Sequence, residues 1–275
     1  MATVIGAAGG DRLHVVSCNV RYDAGAGVGT PDSWADRRPV LAAFLRGERP
    51  TVLGVQEALY HQVGQVAADL PRHYDWIGLG REGGGRGEFM AVYFDTRRVE
   101  PLDYDHFWLS DTPDVIGSTS WGNTIVRMAT WVRFRDRRTG RLFAHVNTHL
   151  DHRSEHARQR GAVLIRDRIA GFDPALPVVL TGDFNAPAET SEAYRTLTGD
   201  GVLADTWLAG RRVTPAWGTF PHYGDPVPGG TRIDWILVNR HVEVLKVAIN
   251  TFRVDGRWPS DHTPVQALVR LAATP

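Results

Sequence analysis

Short apolar runs separated by turn-rich segments recur along the chain and predict a protein rich in β-strands. Their lengths, their β-branched residues and the Gly, Pro and Asp residues that bound them are typical of strands. The runs are LHVVSCNV, TVLGVQE, YDWIGLG, FMAVYF, ATWVRFR, LFAHVNTHL, PVVLTGDFN, TRIDWILV and PVQALVRL. Many strands with few helices imply packed sheets.

Three segments instead repeat apolar residues with the helical period, and they predict helices over residues 36–45, 61–70 and 154–170. Segments 24–33, 80–87 and 221–231 are rich in glycine or proline and too short for domain linkers, so they predict loops. Composition does not shift along the chain, and polar candidates are spread from residue 19 to residue 262. We therefore expect a single domain over residues 1–275.

Composition narrows the possible classes of protein. Lys plus Arg and Asp plus Glu number 31 each, which removes the simple electrostatic argument for a surface that follows nucleic-acid phosphates, although a basic face offset by an acidic one stays open. The single cysteine, Cys18, lies in an apolar run and is expected to be packed rather than bridged. The N-terminus lacks a signal pattern and no window approaches the roughly 18 apolar residues of a membrane span, so we expect a cytoplasmic protein without membrane contact.

Two polar residues close the apolar run in VVLTGDFNAP, one on each side of Phe184. Alternation along a strand points Asp183 and Asn185 to the same side at the strand's end. A carboxylate and a carboxamide there suit a hard cation or a water molecule that has to be oriented. A turn cap before Pro187 would also account for Asp183.

Other strand ends carry residues of the same kind. Glu57 follows the run VLGV, and a carboxylate at the mouth of a strand is costly unless it is paired or binds a metal. A salt bridge would account for Glu57 equally well. Asn19 holds the same position relative to its own run, where a side-chain carbonyl can complete an oxygen coordination shell.

Histidines follow the same pattern. In LFAHVNTHLDH, alternation places His145, Asn147, His149 and Asp151 on one side of an extended strand. A histidine such as His149, at a strand end near carboxylates, can be held protonated as a general acid or can contact a phosphoryl oxygen. His152 fits either a contact with the substrate or the start of the next helix, and the sequence does not distinguish the two.

An acidic residue and an Asp–His pair adjoin the apolar runs near the C-terminus. They are Asp234 in TRIDWILV, and Asp261 with His262 in WPSDHTPV. A carboxylate that orients an imidazole is the usual arrangement for a histidine that activates water or stabilises transition-state charge. Each residue alone fits a structural role, but their recurrence at successive strand ends predicts one shared site.

As an ordered set, the segments SCNVRYD, VQE, THLDH, TGDFNAP, RIDWIL and SDHTPV resemble the motifs of the endonuclease/exonuclease/phosphatase superfamily. This superfamily includes pancreatic-type deoxyribonuclease, abasic-site endonucleases, neutral sphingomyelinases, inositol-polyphosphate phosphatases and deadenylases, and the DFN, THLDH and PSDH segments are similar to those of a large uncharacterised bacterial subgroup. The resemblance extends from Asn19 to His262. It implies an α/β (α+β) fold, a four-layer αββα sandwich of two packed mixed β-sheets flanked by helices, with the site at one end of the sheets.

The resemblance also implies two groups of site residues. The metal group resembles a site for Mg²⁺, or Mn²⁺ in its place, and consists of Asn19, Glu57 and Asp261. The catalytic group consists of a pair that orients water and phosphate, Asp183 and Asn185, an imidazole–carboxylate pair, His262 and Asp234, and a second histidine with its orienting carboxylate, His149 and Glu88. The implied reaction is in-line attack of water on phosphorus.

Residues 106–131 are expected to form a specificity segment between two strands. Arg127 is a candidate partner for a phosphate or carboxylate, because its guanidinium fork matches such groups. With Arg127, the candidate substrate-binding residues are His152 and Trp121. Trp108 and Trp121 would either wall a pocket or pack the segment onto the sheets, and the sequence leaves both open.

The resemblance leaves the substrate to be argued from the places where this chain departs from the nucleases. Ala58 and Leu59 follow Glu57, where the pancreatic-type enzyme has an arginine two positions on, and glycines precede Glu88, where that enzyme has a tyrosine that probes the groove. Duplex DNA is therefore disfavoured. We expect a metal-dependent phosphatase or phosphodiesterase for a phosphorylated small molecule or a short single-stranded nucleic acid. The alternatives are a Mg²⁺-dependent endonuclease or exonuclease and a non-catalytic binding module on the same scaffold.

Overall fold

A computed structural model of the chain describes residues 3–272. Its strands are β1 (Arg12–Asn19), β2 (Val52–Gln56), β3 (Tyr74–Ile77), β4 (Val92–Asp95), β5 (Val99–Trp108), β6 (Met128–Asp136), β7 (Leu142–His149), β8 (Val178–Asp183), β9 (Ala204–Asp205), β10 (Arg211–Arg212), β11 (Asp234–Val238), β12 (Val242–Ile249) and β13 (Val265–Leu271). Its α-helices are α1 (Trp34–Glu48), α2 (Tyr60–Asp69), α3 (Glu155–Ala170), α4 (Glu192–Thr198) and α5 (Thr206–Ala209), and a 3₁₀ turn, Gly199–Gly201, follows α4.

The strands form two sheets. One has seven strands in the order β10-β12-β13-β1-β2-β4-β3, and the other has six in the order β5-β6-β7-β8-β11-β9. Most neighbours are antiparallel, but three pairs are parallel: β1 with β2, β10 with β12, and β7 with β8. Both sheets are therefore mixed, as the resemblance implied.

Apolar side chains pack in three layers between these elements. Val15 and Phe134 belong to a buried cluster between the sheets. Ile165 of α3 packs on the outer face of the six-stranded sheet, whereas Phe44 of α1 and Val63 of α2 pack on the outer face of the seven-stranded sheet. The prediction of a four-layer αββα sandwich is confirmed.

Strand register brings the polar strand ends to one edge of the sandwich. In the six-stranded sheet Asp183 pairs with His149 on the parallel neighbour β7 and with Asp234 on the antiparallel neighbour β11. In the seven-stranded sheet Asn19 pairs with Gln56. The carboxyl ends of β1, β2, β7 and β8 thus meet the amino end of β11.

A buried polar layer holds the two sheets together just below this edge. The Asn147 side chain on β7 donates to the backbone oxygens of Val55 (2.8 Å) and Ala91 (3.1 Å) in the opposite sheet, and accepts from Gln56 (2.6 Å). Gly54 is needed here, because a Cβ at that position would lie 2.6 Å from the Asn147 carbonyl oxygen. These bonds fix how far the strand ends of one sheet stand from those of the other.

The predicted elements agree with the structure in kind and differ at their ends. Helix α1 begins two residues before position 36 and ends three after position 45, and Ser154 caps α3 by accepting from the backbone N–H of Ala157. Helices α4 and α5 and strands β5, β9, β10 and β12 were not predicted. Strand β7 ends at His149, so Asp151 does not continue its alternation. Cys18 is buried and unbridged, as expected. None of the helices in residues 3–272 combines the length and hydrophobicity that a bilayer crossing requires.

Candidate active site

A cavity of about 830 Å³ opens at the edge where the polar strand ends meet. Most of the predicted site residues line it: Glu57, Glu88, Arg127, His149, His152, Asp183, Asn185, Asp261 and His262. Asn19 and Asp234 lie directly behind this lining, in contact with Asp183 and His262 respectively. The structure therefore brings eleven of the twelve predicted residues to one place, with Trp121 as the exception.

Carboxylates gather on one side of the cavity. The Asn19 amide nitrogen donates to Glu57 (2.9 Å) and to Asp183 (3.0 Å), and so links the two sheets. Its carbonyl oxygen accepts from the backbone N–H of Arg21, so in this orientation Asn19 turns nitrogen rather than oxygen toward the carboxylates. Reversal of the amide would present the oxygen instead.

Arg21 supplies positive charge to this acidic side. Its guanidinium lies 3.9 Å from Glu57 and 3.9 Å from Asp261, and Asp32 holds it through two hydrogen bonds (3.0 and 3.2 Å). Burial raises the pKa of Asp261, and the charge on Glu57 adds to that effect, whereas His262 and Arg21 oppose it. The carboxylates outnumber the cations that face them.

His262 and Asp234 form the predicted imidazole–carboxylate pair. His262 Nδ1 donates to Asp234 at 2.9 Å, and His262 Nε2 lies 3.7 Å from Asp183. Burial disfavours the imidazolium, but Asp234 and Asp183 outweigh it and raise the pKa of His262 to about 10. His262 is therefore protonated at neutral pH.

Asp183 lies between the two histidines of the cavity. Its Oδ2 is 3.3 Å from His149 Nε2, and its Oδ1 accepts from the backbone N–H of Asn185 (2.9 Å). Burial raises the pKa of Asp183, and the nearby charge of Asp234 raises it further, whereas His262 lowers it. Asp183 thus binds protons more readily than an ordinary aspartate, which suits an acid–base group.

His149 is neutral rather than protonated. Its pKa is well below the usual value because of burial and because of the positive charges of Arg127 and His262. The Asn185 amide nitrogen lies 2.8 Å from His149 Nε2, so the imidazole proton is assigned to Nδ1. A neutral ring favours contact with a phosphoryl oxygen over a general-acid role, and the role of His149 stays a prediction.

Glu88, the predicted orienting carboxylate, lies beside His149 without a hydrogen bond to it. Glu88 Oε2 is 4.0 Å from His149 Nδ1 and 2.7 Å from Arg81. Burial raises the pKa of Glu88, Arg81 opposes that effect, and the charge of Glu57 adds to it. The structure therefore places Glu88 in the site with Arg81 as its main partner.

Arg127 and His152 lie on the same side of the cavity as Glu88. Arg127 is only 5% exposed, and its guanidinium lies 2.9 Å from His152 Nδ1. Burial lowers the pKa of His152, and the charge of Arg127 lowers it further, so His152 accepts this hydrogen bond as a neutral ring. The side chains thus form one cationic group at the cavity wall.

The tryptophans of the specificity segment pack against the protein instead of walling the cavity. Trp121 donates to Asp111 (2.7 Å), lies under the guanidinium of Arg160 and packs against the cluster beneath the six-stranded sheet. Trp108 is buried and donates to the Arg81 backbone oxygen (2.6 Å). The prediction of Trp121 as a substrate-binding residue is not borne out by its position, because aromatic packing and the bond to Asp111 hold it elsewhere.

Several side chains that line the cavity were missed from the sequence, among them Arg21, Arg81, Arg153 and Phe220. Arg21 and Arg81 come from loops that follow or join strands, and Phe220 is 46% exposed with its ring 4.6 Å from that of His262. Arg21 stands inside the quoted motif SCNVRYD, two positions after Asn19, and that spacing was the available signal. Arg81 and Phe220 lie in irregular segments where alternation gives no direction.

Left-handed backbone recurs where strands end at the cavity. Glu57 has φ = 67°, Asn185 has φ = 49° and Arg21 has φ = 58°. Such conformations cost about 1 kcal/mol or more for residues other than glycine, and they persist where the surroundings fix them, often at functional sites. They turn the side chains at these positions out of the strand direction and toward the cavity.

The acidic side has the donors that a divalent cation needs. Within residues 3–272, one ligand atom each from Glu57, Asp183 and His262 lie within 4.8 Å of one another. Because both nitrogens of protonated His262 carry hydrogen, oxygen ligands have to come from Glu57, Asp183 or Asp261, and from Asn19 with its amide reversed. Oxygen ligands with excess negative charge are the chemistry that Mg²⁺ and Mn²⁺ prefer.

Comparison with known proteins agrees with this geometry. A model of the endonuclease/exonuclease/phosphatase family matches residues 16–262. A solved endonuclease/exonuclease/phosphatase from Bacteroides vulgatus is 34% identical over 94% of this chain and 99% of its own, with a TM-score of 0.87. A mannosyl-6-phosphatase from Bacteroides thetaiotaomicron is 32% identical over 94% of this chain and 99% of its own, also with a TM-score of 0.87.

A more distant structural neighbour shares the fold. TDP2 of D. rerio, solved with a single-stranded DNA product, is 17% identical over 95% of this chain and 100% of its own, with a TM-score of 0.72. No curated protein sequence matches the chain. The chain belongs to the endonuclease/exonuclease/phosphatase family, whose members hydrolyse phosphoester bonds and generally use divalent metal ions. The resemblance seen in the sequence motifs is thus confirmed.

Proposed function

We propose that this protein is a metal-dependent hydrolase of phosphoric esters that acts on a small or single-stranded phosphorylated substrate. The observation that carries the proposal is the division of one cavity into an acidic side, with Glu57, Asp183 and Asp261, and a cationic side, with Arg127. A divalent cation fits the first side and phosphoryl oxygens fit the second. His149 and His262 lie at the boundary between them.

The acidic side would hold the metal. Glu57, Asp261 and the reversed amide of Asn19 are the proposed ligands, and Mg²⁺ or Mn²⁺ bound there would neutralise charge on the phosphoryl and leaving-group oxygens. The charge excess around Arg21 supports this assignment, because two carboxylates lie 3.9 Å from a single guanidinium. We propose Mg²⁺ or Mn²⁺ as the bound ion.

The chain's own residues would carry the proton and the charge of the reaction. Asp183, whose pKa burial raises, accepts the proton of the attacking water, and Asn185 orients that water with its side-chain oxygen. Protonated His262, held by Asp234, donates to a phosphoryl oxygen and stabilises the charge that develops on it. Neutral His149, whose Nε2 accepts from Asn185, would lie against a second phosphoryl oxygen without donating to it.

The proposed substrate class follows from the cavity and from the relatives. A cavity of about 830 Å³ lies within the range of small-molecule sites, roughly 300–1,000 Å³. Leu59, which lines it, stands where the pancreatic-type nuclease carries an arginine. A relative with 32% identity is named a mannosyl-6-phosphatase, which supports a phosphorylated small molecule as the substrate.

A panel assay tests the proposal. Purified protein is incubated with p-nitrophenyl phosphate, bis-p-nitrophenyl phosphate, nucleotides and oligonucleotides, in the presence of Mg²⁺, Mn²⁺, Ca²⁺ or EDTA. We expect ester hydrolysis that EDTA abolishes and that Mg²⁺ or Mn²⁺ restores. Absence of hydrolysis across the panel would overturn the proposal and favour a binding module, whereas internal cleavage of oligonucleotides that weakens steeply with salt would favour a nuclease.

A further inference from the structure

Arg127 carries a buried positive charge that the protein itself neutralises poorly. Its guanidinium has five N–H donors and makes one side-chain hydrogen bond within residues 3–272, to His152. The carboxylate that comes within 4 Å is that of Asp151, with Oδ2 3.9 Å from Arg127 Nε, and this Nε has no hydrogen-bond partner among the described residues. Asp151 Oδ1 is already engaged by the backbone N–H groups of Arg153 and Ser154.

The other buried arginines of the described chain are compensated. Arg98, 4% exposed, lies 3.1 and 3.2 Å from the two oxygens of Asp136, which neutralise its charge although its Nε, like that of Arg127, has no hydrogen-bond partner among the described residues. Arg232 lies 2.7 Å from Asp205. Arg37 donates to the backbone oxygens of several residues at 2.7 to 3.3 Å. Because a guanidinium stays protonated even when buried, an uncompensated one costs several kcal/mol unless an anion binds to it.

Arg127 faces the cavity at the place where the phosphoryl group is expected. Both Arg127 and His149 line the cavity, and they stand at neighbouring strand ends, since Ala129 of β6 pairs with Thr148 of β7. The free donors of Arg127 therefore reach the oxygens of a phosphate that contacts His149.

The number of charges on the phosphate decides what Arg127 contributes. A phosphoric monoester carries about −1.5 to −2 at pH 7 and offers three terminal oxygens, whereas a diester carries one charge and offers two. On the same side of the cavity Arg81 is already paired with Glu88 at 2.7 Å. The second charge and third oxygen of a monoester thus match the donors that Arg127 has free.

We propose that Arg127, held in place by His152, binds the terminal phosphate of the substrate and makes this enzyme select phosphomonoesters over phosphodiesters. The proposal rests on the proposed function and names its substrate class. A hexose phosphate and a 5′-phosphorylated oligonucleotide present the same terminal group, so they are the two sources to distinguish.

Paired substrates with one leaving group test this selectivity. We expect wild-type kcat/KM to be higher for p-nitrophenyl phosphate than for bis-p-nitrophenyl phosphate. Arg127→Gln should lower the monoester value about 100-fold, because hydrogen bonds to charged groups are lost, and the diester value less than about 5-fold. Arg127→Lys, which keeps the positive charge and loses the guanidinium fork, should give a monoester kcat/KM between those of wild type and Arg127→Gln. Glucose 6-phosphate and a 5′-phosphorylated oligonucleotide, assayed in parallel, identify which source is hydrolysed.

The control is the other buried arginine of similar exposure. Arg98→Gln should leave the monoester-to-diester ratio at its wild-type value, whatever its effect on stability. An equal loss on both esters in Arg127→Gln, in protein with a native circular dichroism spectrum, would overturn the selectivity proposal.

Phosphate binding separates this proposal from the proposed function. Inorganic phosphate is titrated calorimetrically into wild-type protein and Arg127→Gln with Mg²⁺ present, and the Kd should rise at least about 30-fold in the variant. If wild type hydrolyses neither ester yet shows this difference, the phosphate subsite stands and the hydrolase proposal fails for those esters. An unchanged Kd would overturn the subsite, even in an active enzyme.

Discussion

Two buried arginines lie near opposite ends of strand β6, and their charges are neutralised to different extents. At its carboxyl end, Asp136 holds Arg98 at 3.1 Å, far from the cavity. Directly before its amino end, Arg127 lies 3.9 Å from the closest carboxylate and faces the cavity. Both side chains are about equally buried, at 4% and 5% exposure. The charge of Arg98 is thus neutralised at one end of β6, whereas Arg127 has no carboxylate at hydrogen-bonding distance at the other end.

The comparison shows that a buried charge can serve either the stability of the fold or the binding of a ligand. A compensated buried charge is structural, because removal of either partner leaves the other uncompensated in low dielectric. An uncompensated one at a cavity costs stability in the free protein and becomes favourable when an anion binds. The acidic side is similar, since the charge of Glu57 acts on both Asp183 and Asp261, and a bound cation would relieve that repulsion.

The largest expected effect belongs to the residues around the proposed reacting phosphate. His262→Ala and Asp183→Ala should each abolish measurable turnover of the best ester in the panel, because loss of one positioned charge or acid–base group costs about 100-fold or more. Steady-state kinetics measure the loss, and circular dichroism checks the fold. Asp103→Asn, in an exposed pair with Arg133, is the matched control and should keep wild-type activity. More than a tenth of wild-type activity in either alanine variant would contradict the assignment.

The next largest effect is a difference in the free energy of unfolding between variants of the two arginines. Arg98→Gln should lower the free energy of unfolding by about 3 kcal/mol, because it leaves Asp136 buried without its partner. Arg127→Gln should leave it unchanged or raise it, because the variant removes a buried charge that lies 3.9 Å from the closest carboxylate, and few protein partners lose a contact. Urea denaturation of the variants beside wild type gives the values. Similar losses in both would show that Arg127 is a structural residue after all.

A pH effect of moderate size is expected from the interior of β7. His145 is buried between the sheets, and burial lowers its pKa to about 3, below the ordinary value of 6.5. The unfolded chain therefore binds the extra proton first, and stability from this residue is lost as the pH falls from 6.5 toward 3. The loss at pH 5 should be about 2 kcal/mol.

Urea denaturation at pH 7 and pH 5 measures this change. His145→Gln should remove about that amount from the difference between the two pH values, whereas His61→Gln, at an exposed position, should keep the wild-type difference. A wild-type pH dependence in His145→Gln would show that other groups account for the acid sensitivity.

The smallest effect is expected for Trp121. Trp121→Ala should lower stability by about 1 kcal/mol through loss of its contacts with Arg160 and Asp111. Its kcat/KM should stay within about 3-fold of wild type, because such a stability change leaves the fold populated. A loss beyond 10-fold on a small phosphoester would return Trp121 to substrate binding.

Alternation and strand ends made much of the site predictable. Asn19, Glu57, His149 and Asp183 each stand at or directly after the last residue of a strand, so a local period of two was enough to single them out. The neutral state of His149 was not predictable, because it depends on burial and on Arg127, which is distant in sequence. Arg81 was missed because its loop has no period.

Sequence alone determined that carboxylates, amides and histidines occupy strand ends, because strand alternation and polar termination are properties of short segments. It also determined the family, through the order of its motifs. Only the tertiary structure decided which strand ends meet, since Asp183 joins His149 and Asp234 through sheet register. The charge balance of Arg127 was decided there too, because a buried charge is set by every element packed around it, and those elements are far apart along the chain.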